Sequence, residues 1–204
     1  MRFGPDSKFF QAFDAAADLV IVNVLLIVSS LPLVTVGAAG RAAHLALRAL
    51  AQARGDAPVW RIFFREGRRG WRMSAAWGVL TVLVAGVALV EWLWLAVLPA
   101  GTLVTVLRAG IVAGCFVFVV LSLWFMSLQA DGGRGFTASV SGAAWLSMRF
   151  GWQSLVCGFV ALAPFLLLAL VPSQWVAVLF YYGLVGFALP IYLLEVFRPA
   201  QLEG

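Results

Sequence analysis

Residues 18–40 read DLVIVNVLLIVSSLPLVTVGAAG, and the interruption in this stretch decides how many times the chain is predicted to cross a membrane. The stretch is apolar over a length that could span a bilayer as a helix. It nevertheless contains Asp18 and Asn23, and the segment SSLP at 29–32 divides it near its middle. The question is whether it forms one span, a broken span or the bend of a hairpin.

Two predictions follow from the proline. A single span over 19–40 would give a five-span protein, whereas a bend at Leu31-Pro32 would give two helices, over about 9–31 and 33–53. Proline is favourable at the first position of a helix and unfavourable inside one. We therefore favour the hairpin, which makes six helices in total and keeps five spans as the alternative.

Outside this stretch the composition and the apolar runs indicate a helical membrane protein. Apolar residues make up 63% of the chain and charged residues 11%, against about 45–50% and about 25% in soluble domains. The sequence predicts an all-α, polytopic transmembrane helix bundle that forms one integral membrane domain over residues 1–204. Four further uncharged or nearly uncharged runs each reach the length of a span: 73–94, 103–128, 152–172 and 175–195.

The basic residues indicate the orientation of the bundle. The net charge is +5, and the basic residues concentrate in the connections 53–72 and 129–151, whereas the turns near 98–101 and 171–174 are uncharged. The positive-inside rule places the basic connections and the C-terminus in the cytoplasm. Because this charge flanks apolar spans, we expect anionic lipids at the cytoplasmic face as partners, and no nucleic acid.

A basic aromatic segment at 54–72 is predicted to form a cytoplasmic loop or a short interfacial amphipathic helix. Aromatic residues alternate there with arginines, which suits apolar anchors with basic tips at a lipid surface. A second short helix of this kind is predicted within 136–150. The candidate docking or lipid surface of the first segment consists of Arg61, Arg65, Arg68 and Arg69.

Two sets of polar residues lie in or next to apolar runs and are candidate sites. Glu91 and Arg108 lie equally far from the turn at 98–101, so an antiparallel pair of helices would bring them to similar depth as an ion pair or shared polar pocket. Arg41, His44 and Arg48 recur at one helical face and form a candidate polar stripe. For both sets, a structural role in packing or at the interface is an open alternative.

The chain resembles the YesL-like family of small bacterial multipass membrane proteins over residues 9–72. The order FF…DL…N…SLP..T.G supports the resemblance, followed by Phe63-Phe64-Arg65 and Trp71-Arg72. The family-like motif comprises Asp18, Asn23, Ser30, Leu31, Pro32, Thr35 and Gly37. The resemblance implies a bacterial inner membrane location and an association with carbohydrate uptake or utilisation, without a settled activity.

The sequence shows no nucleophile–base–acid set, metal-ligand spacing or phosphate loop, so we predict no enzyme, no metal and no cofactor. Our leading hypothesis is an accessory component of carbohydrate uptake that works with a permease or another membrane partner. The alternative is a small transporter or channel with a polar path near Arg41, His44, Glu91 and Arg108.

Overall fold

The computed structural model describes residues 8–53, 58–67, 71–132 and 135–198, and all regular secondary structure within these ranges is helical. Short 3₁₀ turns at Leu33–Thr35 and Pro172–Gln174 join consecutive helices, and a π-helical segment at Tyr182–Gly186 separates the last two. The α-helices are α1 (Lys8–Ser30), α2 (Val36–Ala53), α3 (Val59–Gly67), α4 (Trp71–Ala96), α5 (Thr102–Asp131), α6 (Phe136–Arg149), α7 (Gly151–Leu170), α8 (Trp175–Tyr181) and α9 (Ala188–Val196).

The apolar helices confirm the prediction of a helical membrane bundle. Four helices, α1, α4, α5 and α7, are long and apolar enough to cross a membrane. A fifth span results if α8, the π-helical segment and α9 count as one broken span, bent by 45°. The described residues therefore contain four or five candidate spans, and the count of six is not confirmed.

The missing sixth span is α2, which is the central helix of the bundle. It packs against α1, α3, α4, α5 and α9. Alanines fill its buried surface, with Ala42, Ala43 and Ala46 fully inaccessible. Its two arginines and one histidine lower its apolar character, so α2 lies among other helices instead of presenting a surface to lipid.

The bend between α1 and α2 occurs where the proline predicts it, but along the bundle axis it does not reach the level of the α4–α5 turn. A Cβ atom on Gly37 would clash with the backbone of Ser74, so the start of α2 lies directly against α4. From Gly78, which also abuts Gly37, α4 continues to Ala96 for about 27 Å. The six residue-to-residue steps from Leu31 to Gly37 could not bridge that distance even at about 3.5 Å per step. The bend therefore lies beside the body of α4, well short of the α4–α5 turn.

Two ends of the bundle can be distinguished by their chemistry. The turn end contains the α4–α5 and α7–α8 connections. At the opposite end, which we call the network end, α2, α5 and α9 finish close together and α3 packs along α2. Val59 and Phe63 of α3 are buried in the protein, whereas Trp60 and Phe64 are about half exposed. The segment 54–72 thus includes a helix, α3, and also the start of α4.

Candidate functional site

A network of ionised and polar side chains joins α2, α5 and α9 at the network end. The Glu195 carboxylate accepts hydrogen bonds from His44 Nδ1 at 2.8 Å, from Arg48 Nε at 2.7 Å and from the Ser127 hydroxyl at 2.9 Å. Arg48 also contacts Asp131 at 2.7 Å. Arg198 pairs with Asp131 at 2.6 Å and lies 3.6 Å from Glu195.

The charges of this network balance, and its members become more exposed from Glu195 to Asp131. Two guanidinium groups face two carboxylates, which makes the burial of each charge tolerable. The side chains of Glu195 and His44 are 0% and 1% exposed, whereas Asp131 is 21% exposed. The network therefore runs as a continuous chain of hydrogen bonds from the protein interior to the surface at the end of α5.

The environment of His44 fixes its protonation. Burial lowers the pKa of the imidazole below its ordinary value of 6.5, and the guanidinium groups of Arg48 and Arg198 act in the same direction against the Glu195 carboxylate. A neutral imidazole next to a carboxylate keeps its proton on the nitrogen that faces the carboxylate. His44 is therefore protonated at Nδ1, and its Nε2 has a free lone pair.

A cavity of about 530 Å³ lies on the other side of His44. It extends from His44 and Gly40 of α2 past the α1–α2 bend to α5, α7 and the π-helical segment. Leu31 and Leu33, which line it, are 74% and 60% exposed, so the cavity opens at the bend. Its volume falls within the range of about 300–1,000 Å³ that is typical of small-molecule sites.

The broken span at the cavity wall is held by Asn23 of α1. The Asn23 side chain donates to the carbonyls of Tyr182 and Gly183 and accepts from the backbone N–H groups of Phe187 and Ala188. Asn23 is completely buried. One amide thus satisfies four backbone groups at the break, which an apolar environment would otherwise leave at a high free-energy cost.

The rest of the family-like motif shapes the α1–α2 bend. The Thr35 hydroxyl contacts the carbonyl of Ser29 and donates to that of Pro32, and Gly37 provides the close approach to α4. Ser30 lines the cavity. Asp18 is half-buried on α1 and makes no hydrogen bond or ion pair with any residue that the structure describes.

The predicted polar stripe is divided between two partners. His44 and Arg48 both bind Glu195, as members of one site. Arg41, one turn earlier, donates from Nη2 to the backbone carbonyl of Glu66 at 2.6 Å and so ties α2 to α3. Arg41 is thus outside the network, because its side chain leaves α2 toward α3 and not toward α9.

The proposed Glu91–Arg108 ion pair is not found, although the structure describes both residues. Arg108 donates to the backbone carbonyl of Leu95 at 3.0 Å and lies 5.5 Å from the centre of the Trp92 ring. These contacts use the last turn of α4 and direct the guanidinium away from Glu91 toward the turn end. The alignment in depth was reasonable, but a nearby free carbonyl and an indole face compete for the same cation.

The candidate docking or lipid surface is described only in part. Arg61 and Arg65 are exposed on α3, where Arg61 lies 5.0 Å from the centre of the Trp60 ring and Arg65 contacts Glu66 at 2.9 Å. Arg68 and Arg69 lie outside the described residues.

Four further members of the site are not among the residues predicted from the sequence: Ser127, Asp131, Glu195 and Arg198. A signal was present, since an acidic residue at the end of an apolar run is costly unless it is paired. The partner of Glu195 could not be predicted from the sequence, because Glu195 and His44 are 151 positions apart. No group of three or more potential metal ligands occurs within the described residues.

A helical bundle with several apolar spans, a buried charge network and an internal cavity defines a multipass membrane protein. Residues 19–92 of this chain match the family described as "Protein of unknown function, DUF624". The match begins directly after Asp18 of the family-like motif and includes α2 and α3, so it contains Asn23, His44 and Arg48 but not Glu195. No curated protein and no solved structure matches the chain.

Proposed function

We propose that the protein is a small, non-enzymatic membrane transporter or carrier that binds its ligand in the cavity next to His44. The observation that supports this function is the hydrogen-bonded network between the cavity and the network end. Packing alone does not require ionisable groups that lead from a cavity to the surface. Such chains of groups are typical of substrate and ion pathways.

The broken span supports the same function. Transporters bind substrates near the bilayer midplane between discontinuous helices, where irregular backbone lines a cavity. In this chain, the π-helical segment interrupts the last span and contributes Tyr182 and Gly186 to the cavity wall. The path we propose uses His44 and the residues around Glu195, and it replaces the path near Arg41, Glu91 and Arg108 that the sequence suggested.

In this proposal, the network closes the cavity at the network end, which the positive-inside rule assigns to the cytoplasm of a bacterial cell. Opening requires Arg48 and Arg198 to separate from Glu195 while they remain paired with Asp131. The guanidinium groups are suited to this exchange because each already contacts both carboxylates.

Accessibility of a single cysteine tests this function. Gly40 lines the cavity and has space for a side chain, since the nearest atom to an added Cβ belongs to Met126 at 3.8 Å. A Gly40→Cys variant without the native cysteines is reconstituted in vesicles and treated with a membrane-impermeant maleimide from the network side. We expect slow labelling that rises at least about tenfold when Glu195→Gln or Arg198→Gln removes contacts to Glu195 that hold the network closed.

The control is Arg65→Cys on α3, whose side chain is 64% exposed and which should be labelled equally in every background. If Gly40→Cys is labelled from the network side at the same rate with and without the network, the network does not close a path. The Arg198→Gln background preserves the test if Glu195→Gln does not fold.

A second candidate function is an accessory component of carbohydrate uptake, as the family resemblance implies. The observation that favours it is α3, where Trp60 and Phe64 are exposed next to Arg61 and Arg65. Exposed aromatic and arginine side chains are typical of protein contact surfaces. A sugar-uptake permease would bind there, with anionic lipids around it.

Copurification and flux distinguish the two candidates. Arg61→Gln with Arg65→Gln should abolish copurification of a sugar-uptake permease after mild solubilisation, and unchanged recovery would contradict docking through α3. Sugar uptake into vesicles that contain only this protein would contradict the accessory role.

A further inference from the structure

The polar groups of the cavity have an uneven balance of donors and acceptors. The hydroxyl groups of Thr81, Ser122 and Tyr182 line the cavity, and each already donates its proton to a carbonyl of the bundle. A hydroxyl donates one hydrogen bond only, so these three groups have lone pairs left and no proton. They offer a ligand acceptors rather than donors, although Ser122 already accepts one hydrogen bond from Trp77 Nε1. A further hydroxyl of the lining, that of Ser30, lies beside the bend, away from His44 along the chain.

His44 adds the strongest acceptor. Its Nδ1 is occupied by Glu195, its side chain is 1% exposed, and Nε2 forms no hydrogen bond with the residues that the structure describes. Nε2 is on the side of the imidazole opposite to the carboxylate, and His44 lines the cavity. An acceptor at a cavity wall that has no protein partner gains a hydrogen bond from a ligand that supplies a donor.

The remaining cavity wall is apolar, and the cavity opens at the apolar surface of the bundle. Leu26, Leu123, Leu162 and Phe165 contribute to it, and the exposed leucines at the bend surround its opening. Because the bend lies beside the body of α4, this opening faces the apolar surface of the bundle rather than the turn end. A strongly polar molecule such as a free sugar would leave most of its hydroxyl groups unsatisfied there.

We propose that this cavity binds an amphipathic alcohol, with the hydroxyl group donating to His44 Nε2 and the hydrocarbon chain extending toward the bend. This proposal rests on the proposed function, because it assigns the chemical class of the ligand in the same cavity. The alcohol is either a free long-chain alcohol or the free hydroxyl of a lipid such as a diacylglycerol. Molecules with a carboxylate at the same end lack the donor and are repelled by the Glu195 charge.

The chain contains a single histidine, which makes a direct test possible. The full-length protein is labelled with nitrogen-15 histidine, purified through a tag that contains no histidine, and placed in nanodiscs of saturated phosphatidylcholine. Solid-state nuclear magnetic resonance then reports the two imidazole nitrogens of His44 separately. Without added alcohol, we expect a neutral ring with the proton on Nδ1.

Four probes are added in turn, three with a twelve-carbon chain and one diacylglycerol. 1-Dodecanol and dioctanoylglycerol should shift the Nε2 resonance in the direction of a hydrogen-bond acceptor, and they distinguish a free alcohol from a lipid hydroxyl. Dodecyl methyl ether and dodecanoate should leave the resonance in place. From titration of this shift and competition, we expect the methyl ether to bind at least about threefold more weakly than the alcohol.

Equal binding of 1-dodecanol and its methyl ether, or an Nε2 resonance that neither alcohol moves, would overturn the proposal. This comparison needs no substitution, so it does not depend on whether a His44 variant folds. The result is also separate from the labelling of Gly40→Cys. Failure of that experiment removes the transport path, while the resonance of His44 still decides whether an alcohol binds.

Discussion

Glu195→Gln is the substitution whose effect on stability can be worked out most fully from the structure. The Glu195 side chain is fully buried, and both of its oxygens accept hydrogen bonds. One oxygen faces His44 Nδ1 and the Ser127 hydroxyl, and the other faces Arg48 Nε. A glutamine has nearly the same shape, but its amide NH₂ group must face one of these sets of donors.

The substitution also leaves two guanidinium groups with one carboxylate. Removing one partner of a buried ion pair destabilises a protein by about 3–5 kcal/mol. For a chain of this size, each kcal/mol lowers the melting temperature by about 2–4 °C, so we expect a fall of roughly 6–20 °C. Thermal unfolding of the purified protein in nanodiscs, followed by circular dichroism, measures this change.

The matched control is Glu91→Gln, which removes the same charge from an exposed position on α4 without breaking an ion pair within the described residues. We expect its stability to remain within about 0.5 kcal/mol of the original chain. Equal melting temperatures for the two variants would refute the reasoning. A second check is Arg48→Gln with Glu195→Gln, which restores charge balance and should destabilise the protein by less than the sum of the single changes.

Three further predictions concern the break, the bend and the histidine. Asn23→Leu leaves four backbone groups of the broken span without partners, so we expect a loss of about 2–4 kcal/mol in thermal unfolding, and a stability unchanged from the parent would contradict this role. Gly37→Ala places a methyl group in a clash with the carbonyl oxygen of Ser74, whereas an added Cβ at Gly86 meets no atom within 4 Å. Gly37→Ala should therefore lower the melting temperature and Gly86→Ala should not; equal effects would mean that α2 does not lie against α4. The pKa of His44 is lowered in the folded state, so the unfolded state binds more protons, and stability should fall as the pH is lowered through the ordinary value of 6.5. The slope is at most about 1.4 kcal/mol per pH unit, and it should be absent in His44→Gln, measured by denaturation at several pH values.

Much of the fold could be predicted from hydropathy alone, because a helix that spans lipid must be long and apolar, and both properties are visible in the sequence. The predicted run 73–94 corresponds to α4, 103–128 to α5 and 152–172 to α7, with ends that differ by a few residues. The last run, 175–195, was predicted as one span and is interrupted by the π-helical segment. Gly183, Gly186 and Pro190 weaken a continuous helix there, but the local sequence does not show what stabilises the break, since its partner Asn23 is 159 positions away from Tyr182.

The candidate site was predictable in part for the same reason. Helical periodicity placed His44 and Arg48 on one face correctly, because that relation is local. Their shared partner, Glu195, is distant in the sequence, so no local pattern indicates it. Arg108 binds the carbonyl of Leu95 in place of Glu91, which similar depth does not predict. Depth alone brings two residues to the same level, whereas a contact also requires that they face each other around their helices.

The position of α2 explains why hydropathy and proline placement give different answers for this chain. Proline placement correctly predicts two helices, but a hydropathy argument then requires the second helix to cross the membrane in contact with lipid. Because α2 is surrounded by five other helices, its environment is other side chains, and its charge is balanced by Glu195 and Asp131. Alanines at positions 42, 43 and 46 let the neighbouring helices approach closely, and small residues are favourable at such interfaces within membranes. A helix of this composition is unfavourable as a lone span and favourable at the centre of a bundle. On α2, the cavity and the charge network meet at one residue, His44.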